Sequence, residues 1–295
     1  MIVVQLFING IIAGSIYALV AVGFSLIYST NRFVHLAHGG FVAVGAYLLY
    51  LFFTLFGLNF YISAILAIIV SGFLGWLVYT LVYIPLKKRK ASNAVLLIAS
   101  VGLLILLENL MLLIFGADIK TIKYIQIRKG IEIFGGVITP LQIVIVVLTG
   151  ILLLLLWIFM KKSHLGKTMR AVADNVDLAN IIGINAKKIC YLSFIIGTAL
   201  AGIAGILVAL EQNIEPSMGT GLIIKGFTGA IIGGIGSVPG SILGSYLLGL
   251  VENFGIWFLP SGYKDAIAFS LLFIFLLFKP AGILGSKGKY EEPKI

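Results

Sequence analysis

Eight apolar stretches, each long enough to cross a lipid bilayer as a helix, constrain this chain more than any other feature. They lie near residues 5–28, 39–57, 60–85, 94–116, 139–160, 190–211, 240–259 and 264–280. About 20 apolar residues in a helix span the hydrocarbon core. With 60% hydrophobic and 11% charged residues, the chain has too little polar surface for a water-soluble globule. The sequence therefore predicts an all-α polytopic membrane protein. This composition argues against a soluble enzyme and a disordered chain. The single cysteine, Cys190, also excludes a scaffold held by internal disulfides.

A ninth apolar segment, residues 222–236, is too short for an ordinary span. Gly236, Pro239 and Gly240 separate it from the next stretch. We expect a short or re-entrant helix that ends in a tight turn, beside about eight full transmembrane helices. Stripes of small residues at four-residue spacing let membrane helices approach closely. They occur at Gly10, Gly14 and Ala18, at Gly197, Ala201 and Gly205, at Gly229 and Gly233, and at Gly240 and Gly244.

The positions of the basic residues predict how the chain is oriented. Fifteen of the 21 Lys and Arg residues fall on one predicted side, at Arg32, in 87–90, in 161–188 and from Lys279 onward. Cytoplasmic loops of membrane proteins carry such an excess, so the net charge of +10 does not indicate nucleic-acid binding. We expect the N-terminus outside, without a cleaved signal peptide. A single transmembrane domain would cover 1–285, and 286–295 would form a cytoplasmic tail.

The longest predicted outer loop, residues 117–139, contains an alternating pattern. Ile125, Ile127, Ile131 and Ile133 alternate with polar residues around the Lys129–Gly130 pair. Alternation on both sides of a glycine-containing turn indicates a β-hairpin. The sequence therefore predicts a small hairpin on the outer face.

The longest predicted cytoplasmic loop, residues 161–189, has the pattern of two short helices. One is expected over about 166–173. A second should begin after Asp174, an N-cap residue type, and stop at Gly183, which suits a C′ position. Its apolar residues would share one face, with Val176, Ala179 and Ile182 flanked by Leu178 and Ile181. That face requires either the lipid interface or a groove on another protein.

Residues 177–183 (DLANIIG) resemble the E-A-A-x-x-x-G core of permeases in ATP-binding-cassette (ABC) importers. Asp177 replaces the family's Glu, and Leu178 replaces its first Ala. The resemblance to the LivH-type branched-chain amino acid permease subunits continues along nearly the whole chain, although Gly40 replaces a common acidic residue. The matching segments are 9–10 (NG), 14–19 (GSIYAL), 37–39 (AHG), 45–47 (GAY), 178–185 (LANIIGIN), 233–240 (GGIGSVPG), 263–265 (YKD) and 280–285 (PAGILG).

This resemblance implies an importer of leucine, isoleucine and valine in the cytoplasmic membrane. It implies four kinds of partner: a LivM-like second permease, two LivG/LivF-like ATPase chains and an extracytoplasmic binding protein. The residues that would contact the ATPases are Asp177, Leu178, Ala179, Ile182 and Gly183. The chain lacks the G-x-x-x-x-G-K-[ST] phosphate loop, because Lys161 stands where the leading Gly before Gly166–Lys167–Thr168 would be. We expect this chain to bind no cofactor.

Six polar residues within the apolar stretches are candidates for lining a pathway. Branched-chain amino acids are zwitterions with apolar side chains, which favours an apolar route with few hydrogen-bonding groups. The candidates are Asn9, Tyr17, Ser25, Glu108, Thr198 and Glu252. Ser15, on the first apolar stretch, is a further candidate. Both glutamates would also fit as hydrogen-bond anchors, because intramembrane acids face the bundle interior.

The histidines indicate structure rather than metal chemistry. His35 and His38 are three residues apart, but the sequence offers no third or fourth ligand nearby. We expect His38 to anchor the break between the first two spans. Gly236, Pro239 and Gly240 have the corresponding structural role in the later turn.

Two other classes of protein compete with the importer permease. A self-sufficient secondary transporter would need coupling residues in mid-membrane, for which Glu108 and Glu252 qualify. An intramembrane enzyme would need a Ser-His or His-Glu-x-x-His arrangement on the apolar spans, and the sequence has none. Within the importer class, urea, short amides or other amino acids are the alternative cargo.

Overall fold

Helices dominate the part of the chain that the computed structural model describes, residues 2–122, 124 and 130–285. The first are α1 (Ile2–Asn31), α2 (His38–Leu49), α3 (Phe60–Val78), α4 (Ile84–Lys88), α5 (Asn93–Phe115) and α6 (Pro140–Lys162). The others are α7 (His164–Asp174), α8 (Val176–Ile181), α9 (Ala186–Glu211), α10 (Met218–Gly233), α11 (Val238–Gly255) and α12 (Lys264–Phe278). The π-helical segment Tyr50–Leu55 extends α2, and Tyr79–Tyr83 joins α3 to α4.

Seven segments of the described chain are long and apolar enough to cross a membrane, or eight if α10 and α11 count together as one. The prediction of an all-α polytopic membrane protein is confirmed. The predicted span over 240–259 is shorter than expected, because α11 ends at Gly255. The short segment predicted over 222–236 is α10, and its axis turns by 117° into α11.

Helix α1 lies at the centre of the bundle, although other helices are more apolar. In an apolar stretch of 18 residues in α1, 89% is buried inside the protein. The corresponding share is 22% in α6 and 6% in the Ser261–Phe278 segment. Glycines make the central position possible. A Cβ on Gly10 would lie 3.0 Å from the Leu250 Cα, and one on Gly14 would lie 2.9 Å from the Tyr246 Cα. The backbones of α1 and α11 therefore touch along the small-residue stripe.

A second close approach joins α2 to α9. A Cβ on Gly205 would lie 1.9 Å from the Val42 carbonyl oxygen, and one on Gly45 would lie 2.5 Å from the Gly202 Cα. Neither position has room for a methyl group, so the packing role predicted for Gly205 agrees with the structure.

The turn between α10 and α11 depends on glycines and on a hydrogen bond from α1. Gly234 and Gly236 have φ values of 109° and 85°, which disfavour residues with a side chain. The Gly236 amide donates to the Ser25 Oγ over 2.8 Å. Pro239 follows in the first turn of α11, where its missing N–H costs nothing. This is the tight turn that the sequence predicts.

The bundle has two distinguishable ends. One, here called the hairpin end, carries β1 (Ile131–Ile133) and β2 (Gly136–Ile138), which pair antiparallel. A β-hairpin does lie within the predicted loop, and it reverses at Phe134 and Gly135, both with positive φ, as a type I′ turn requires. The predicted arm over 125–127 and the Lys129 position lie outside the described residues.

The other end, here called the loop end, carries α7 and α8. The N-terminal part of α1 is at the hairpin end, because the Val137 amide donates to the Gln5 side chain over 2.7 Å. The Arg32 guanidinium, just after α1, donates to the Ala173 carbonyl of α7 at the loop end. The predicted tail 286–295 lies outside the described residues.

Candidate functional site

Helix α7 is held against the end of α6 by a glycine contact. A Cβ on Gly166 would lie 2.3 Å from the Phe159 carbonyl oxygen, so any other residue would push the two helices apart. Ser163 caps α7 through its Oγ, which accepts from the Gly166 amide over 2.9 Å. The helix covers His164–Asp174, slightly more than the predicted 166–173.

Helix α8 begins one residue later than predicted. Its N-cap is Asn175, whose Oδ1 accepts from the amides of Asp177 at 2.9 Å and Leu178 at 3.0 Å. Asp174 closes α7 instead. The prediction of Asp174 as the cap was wrong because both residues have side chains suited to capping, and only the extended backbone of Asn175 selects between them. Gly183, at φ 85°, follows the end of α8 as predicted.

The predicted apolar face of α8 is divided between the protein and its surroundings. Ala179 is buried against Met169, Val172 and Ile189. Leu178, Ile181 and Ile182 point outward and are 59%, 78% and 70% exposed. The sequence pattern placed Ala179 and Ile182 on one face, whereas in the structure Ala179 is buried and Ile182 is exposed. The result is a capped helix, fixed to the bundle by one small residue, with three large apolar side chains uncovered.

A polar cluster joins α1, α10, α11 and α12. The Tyr17 hydroxyl donates to the Glu252 carboxylate over 2.9 Å. The Lys225 Nζ lies 3.7 Å from the same carboxylate and 3.1 Å from Asp265. The Glu252 side chain is fully buried, whereas that of Asp265 is 71% exposed. The two candidates Tyr17 and Glu252 thus lie together, with two charged partners, Lys225 and Asp265, that the sequence analysis had not singled out.

Glu108 lies apart from this cluster. Its carboxylate accepts a hydrogen bond from the Thr220 hydroxyl at the start of α10, and the residue is only partly buried. Thr220 was not predicted, and nothing in its surrounding sequence marks it. Glu108 therefore links α5 to α10.

The remaining pathway candidates, Asn9, Ser25 and Thr198, each form hydrogen bonds with other parts of the protein. Ser25 accepts from the Gly236 amide, and the Ser241 hydroxyl donates to it over 2.9 Å. Buried Thr198 donates to the Phe194 carbonyl over 2.8 Å within α9. Asn9 accepts from the Gln5 amide over 3.0 Å, close to the hairpin. The six candidates therefore do not form one site.

His35 lies in the linker that returns from α1 to α2, and His38 is the first residue of α2. The His35 Nδ1 lies 2.8 Å from the Tyr83 hydroxyl. A Cβ on Gly23 would lie 2.8 Å from the His38 ring, so α2 begins beside the middle of α1. His38 is buried at the break between the spans, the position predicted for it. Within the described residues, no three His, Cys, Asp or Glu side chains are placed to hold a metal ion.

Comparison with known proteins gives a consistent result. A family described as "Branched-chain amino acid transport system / permease component" matches residues 6–277. The "High-affinity branched-chain amino acid transport system permease protein BraD" of Pseudomonas aeruginosa is 37% identical, with 95% of each chain covered. The protein of the same description named LivH from Salmonella typhimurium is 34% identical, also over 95% of each chain. A probable LivH from Methanocaldococcus jannaschii is 30% identical over 94% of this chain and 91% of its own.

Proposed function

The chain belongs to the family of branched-chain amino acid transport system permease components, and we propose that it forms part of the pathway for leucine, isoleucine and valine in an ATP-driven importer. It is a multi-pass membrane permease and not an enzyme. The resemblance described from its sequence motifs is confirmed by relatives that match over almost their whole length.

The uncovered face of α8 is the observation that carries the proposal. Leu178, Ile181 and Ile182 are large, apolar and exposed on a helix whose two ends are fixed by Asn175 and Gly183. A rigid apolar face presented at the loop end suits insertion into a groove of an ATPase chain. Ala179 packs in one apolar cluster with Met169 of α7 and Ile189 of α9. A movement of the bound ATPase chain would therefore displace α7 and α9 together with α8.

The assembly that we propose has four kinds of partner. A LivM-like permease would complete the pathway, two LivG/LivF-like ATPases would occupy the loop end, and a binding protein would deliver cargo at the hairpin end. This places the C-terminus and the loop 161–189 in the cytoplasm, in agreement with the basic residues there. The chain itself would bind no cofactor, since ATP would be held by the ATPases.

Branched-chain amino acids are the cargo that we favour over urea, amides or other amino acids. All the high-identity relatives reported above carry that description in their names. Binding selectivity would reside mainly in the binding protein, because the six polar candidates in this chain are dispersed and mostly occupied by local hydrogen bonds.

Uptake of labelled leucine tests the function. Vesicles would hold this chain together with the second permease, ATPase and binding protein encoded beside it. We expect uptake that requires ATP and the ATPases, and that valine inhibits but urea does not. Uptake by this chain alone, driven by an ion gradient, would instead establish the secondary-transporter alternative. Inhibition by urea or amides would change the cargo and leave the importer class in place.

A second experiment tests the role of α8. Ile181→Ser and Ile182→Ser should reduce co-purification of the ATPases, because each removes an exposed apolar side chain from the proposed contact. Leu165→Ser is the matched control, since Leu165 is 42% exposed on the preceding helix α7. Normal ATPase recovery and transport in both α8 variants would contradict this assignment of the docking surface.

A further inference from the structure

A cavity of about 480 Å³ opens at the loop end and has no part in the proposed docking of α8. Its size lies within the range of about 300–1,000 Å³ that is typical of small-molecule sites. Five parts of the chain form its wall: the end of α1, the end of α6, helix α7, the α10–α11 turn and the segment after α12. Leu178, Ile181 and Ile182 do not line it.

The polar part of the wall is basic. Arg32, Lys161 and Arg170 line the cavity together with a single acid, Asp174. These side chains leave a formal excess of two positive charges. The Arg32 guanidinium is anchored by its bond to the Ala173 carbonyl, and an Arg170 Nη lies 3.4 Å from the Lys161 carbonyl. A guanidinium has five donors, so each arginine keeps donors for a ligand. Phosphate oxygens match that planar geometry.

The apolar part of the wall includes residues from the last turns of α6. Lys161 is in the last turn of α6, the apolar helix Pro140–Lys162. Its Nζ lies 4.8 Å from the centre of the Trp157 ring, which also lines the cavity. Tryptophan and lysine concentrate at the membrane–water boundary. Met160 and Leu284 extend the apolar lining beside them. The cavity therefore offers cations on one side and an apolar surface on the other.

We propose that this cavity binds a phosphate group, and that its occupant in the membrane is the headgroup of an anionic phospholipid. A phosphodiester would contact Arg32 and Arg170, while the glycerol and upper acyl chains would lie along Trp157 and Met160. Basic pockets between membrane helices are suited to such headgroups. Because Arg170 and Ala173 belong to α7 while Gly236 and Pro239 belong to the α10–α11 turn, a bound lipid would bridge the loop to that turn.

The test compares the complete importer in nanodiscs of phosphatidylcholine alone and with phosphatidylglycerol. Native mass spectrometry measures phosphatidylglycerol that stays bound after delipidation. We expect wild type to retain it, and Arg170→Gln to retain about tenfold less, the effect of losing one charge-assisted hydrogen bond. Lys161→Gln should act in the same direction. Lys167→Gln is the matched control, because Lys167 is exposed on α7 and does not line the cavity.

A second arm separates the lipid from a free anion. Inorganic phosphate is added to the phosphatidylcholine nanodiscs, and the unfolding temperature is recorded. If phosphate stabilises wild type but phosphatidylglycerol is not retained, the cavity binds phosphate, and the proposal that a phospholipid occupies it is contradicted. Equal lipid retention in wild type, Arg170→Gln and Lys161→Gln, with no effect of phosphate, would overturn the proposal. Neither readout depends on cargo uptake, so failure here is distinct from failure of the proposed function.

Discussion

Tyr17 donates a hydrogen bond to Glu252 over 2.9 Å and thereby joins the first long helix to α11, 235 residues later in the chain. The Glu252 side chain is fully buried, and its charged neighbour Lys225 also lies within ion-pair distance of Asp265. A buried carboxylate is costly unless donors surround it. The phenol therefore supplies a hydrogen bond that this buried side chain could not obtain from the surrounding apolar helices.

Tyr17→Phe should destabilise the permease. The change removes one donor to a buried charged acceptor, so we expect the free energy of unfolding to fall by about 1–3 kcal/mol. Thermal unfolding of the purified protein measures this. Tyr50→Phe is the matched control, because the Tyr50 ring packs on Phe115 at another place in the bundle. Equal unfolding temperatures for Tyr17→Phe and wild type would contradict a supporting role for the phenol.

Gly205→Ala should prevent correct packing of α2 on α9. The new methyl group would lie 1.9 Å from the Val42 carbonyl oxygen, and a backbone atom cannot move aside cheaply. We expect loss of the monodisperse peak in size-exclusion chromatography. Gly150→Ala has open space around the new Cβ and should match wild type or exceed it, because alanine favours the helix. A monodisperse Gly205→Ala protein would show that the two helices can separate without loss of the fold.

Ser25→Ala should loosen the turn between α10 and α11. It removes the acceptor of the Gly236 amide and of the Ser241 hydroxyl. We expect a loss of about 1–3 kcal/mol of stability and faster amide hydrogen exchange at 234–237. Ser29→Ala is the control, since the Ser29 hydroxyl bonds to the Leu26 carbonyl in its own helix. Unchanged exchange at the turn in Ser25→Ala would argue against this anchor.

Glu108→Gln should leave transport largely intact. Glutamine still accepts a hydrogen bond from Thr220, the partner of Glu108 in the structure. An ATP-driven permease does not need a titrating group there, so we expect leucine uptake within roughly threefold of wild type, a difference below about 0.7 kcal/mol. Abolished uptake together with lost sensitivity to an ion gradient would favour the secondary-transporter reading.

Gly183→Ala should weaken ATPase recovery through the backbone alone. No heavy atom lies within 4 Å of the added Cβ, but the φ of 85° costs a non-glycine residue about 1–2 kcal/mol. The end of α8 would relax, and the exposed Ile181 and Ile182 would lose their fixed position. Gly221→Ala also has open space and no such φ, so it serves as the control. Full ATPase recovery with Gly183→Ala would contradict the need for a rigid α8.

The helical spans could be predicted because they depend on composition and length. The residues that form helix caps and tight turns could not be predicted in the same way. Asn175 rather than Asp174 caps α8, and only backbone conformation distinguishes these neighbours. The described hairpin reverses at Phe134 and Gly135, and a phenylalanine with positive φ is a turn residue that its residue type does not predict.

The charged cluster around Glu252 illustrates what one sequence leaves open. Lys225 interrupts an apolar segment and Asp265 begins another, so membrane physics indicates that each needs a partner. Nothing along the chain says that the partner is shared, or that Tyr17 from α1 completes the group. The same holds for Thr220 and Glu108, whose contact depends on how α5 crosses α10.

The central position of α1 imposes an order on biosynthesis. Helix α1 is made before α11, yet its glycine stripe fits against α11, through Gly10 and Leu250, and its Ser25 bonds to Ser241. Until α11 has been synthesised, α1 lies in the bilayer without this packing partner. A nascent chain cut short before α11 would expose that stripe and Tyr17 to lipid or to quality-control proteases. The contacts between α1 and α11 can therefore form only after α11 has been synthesised.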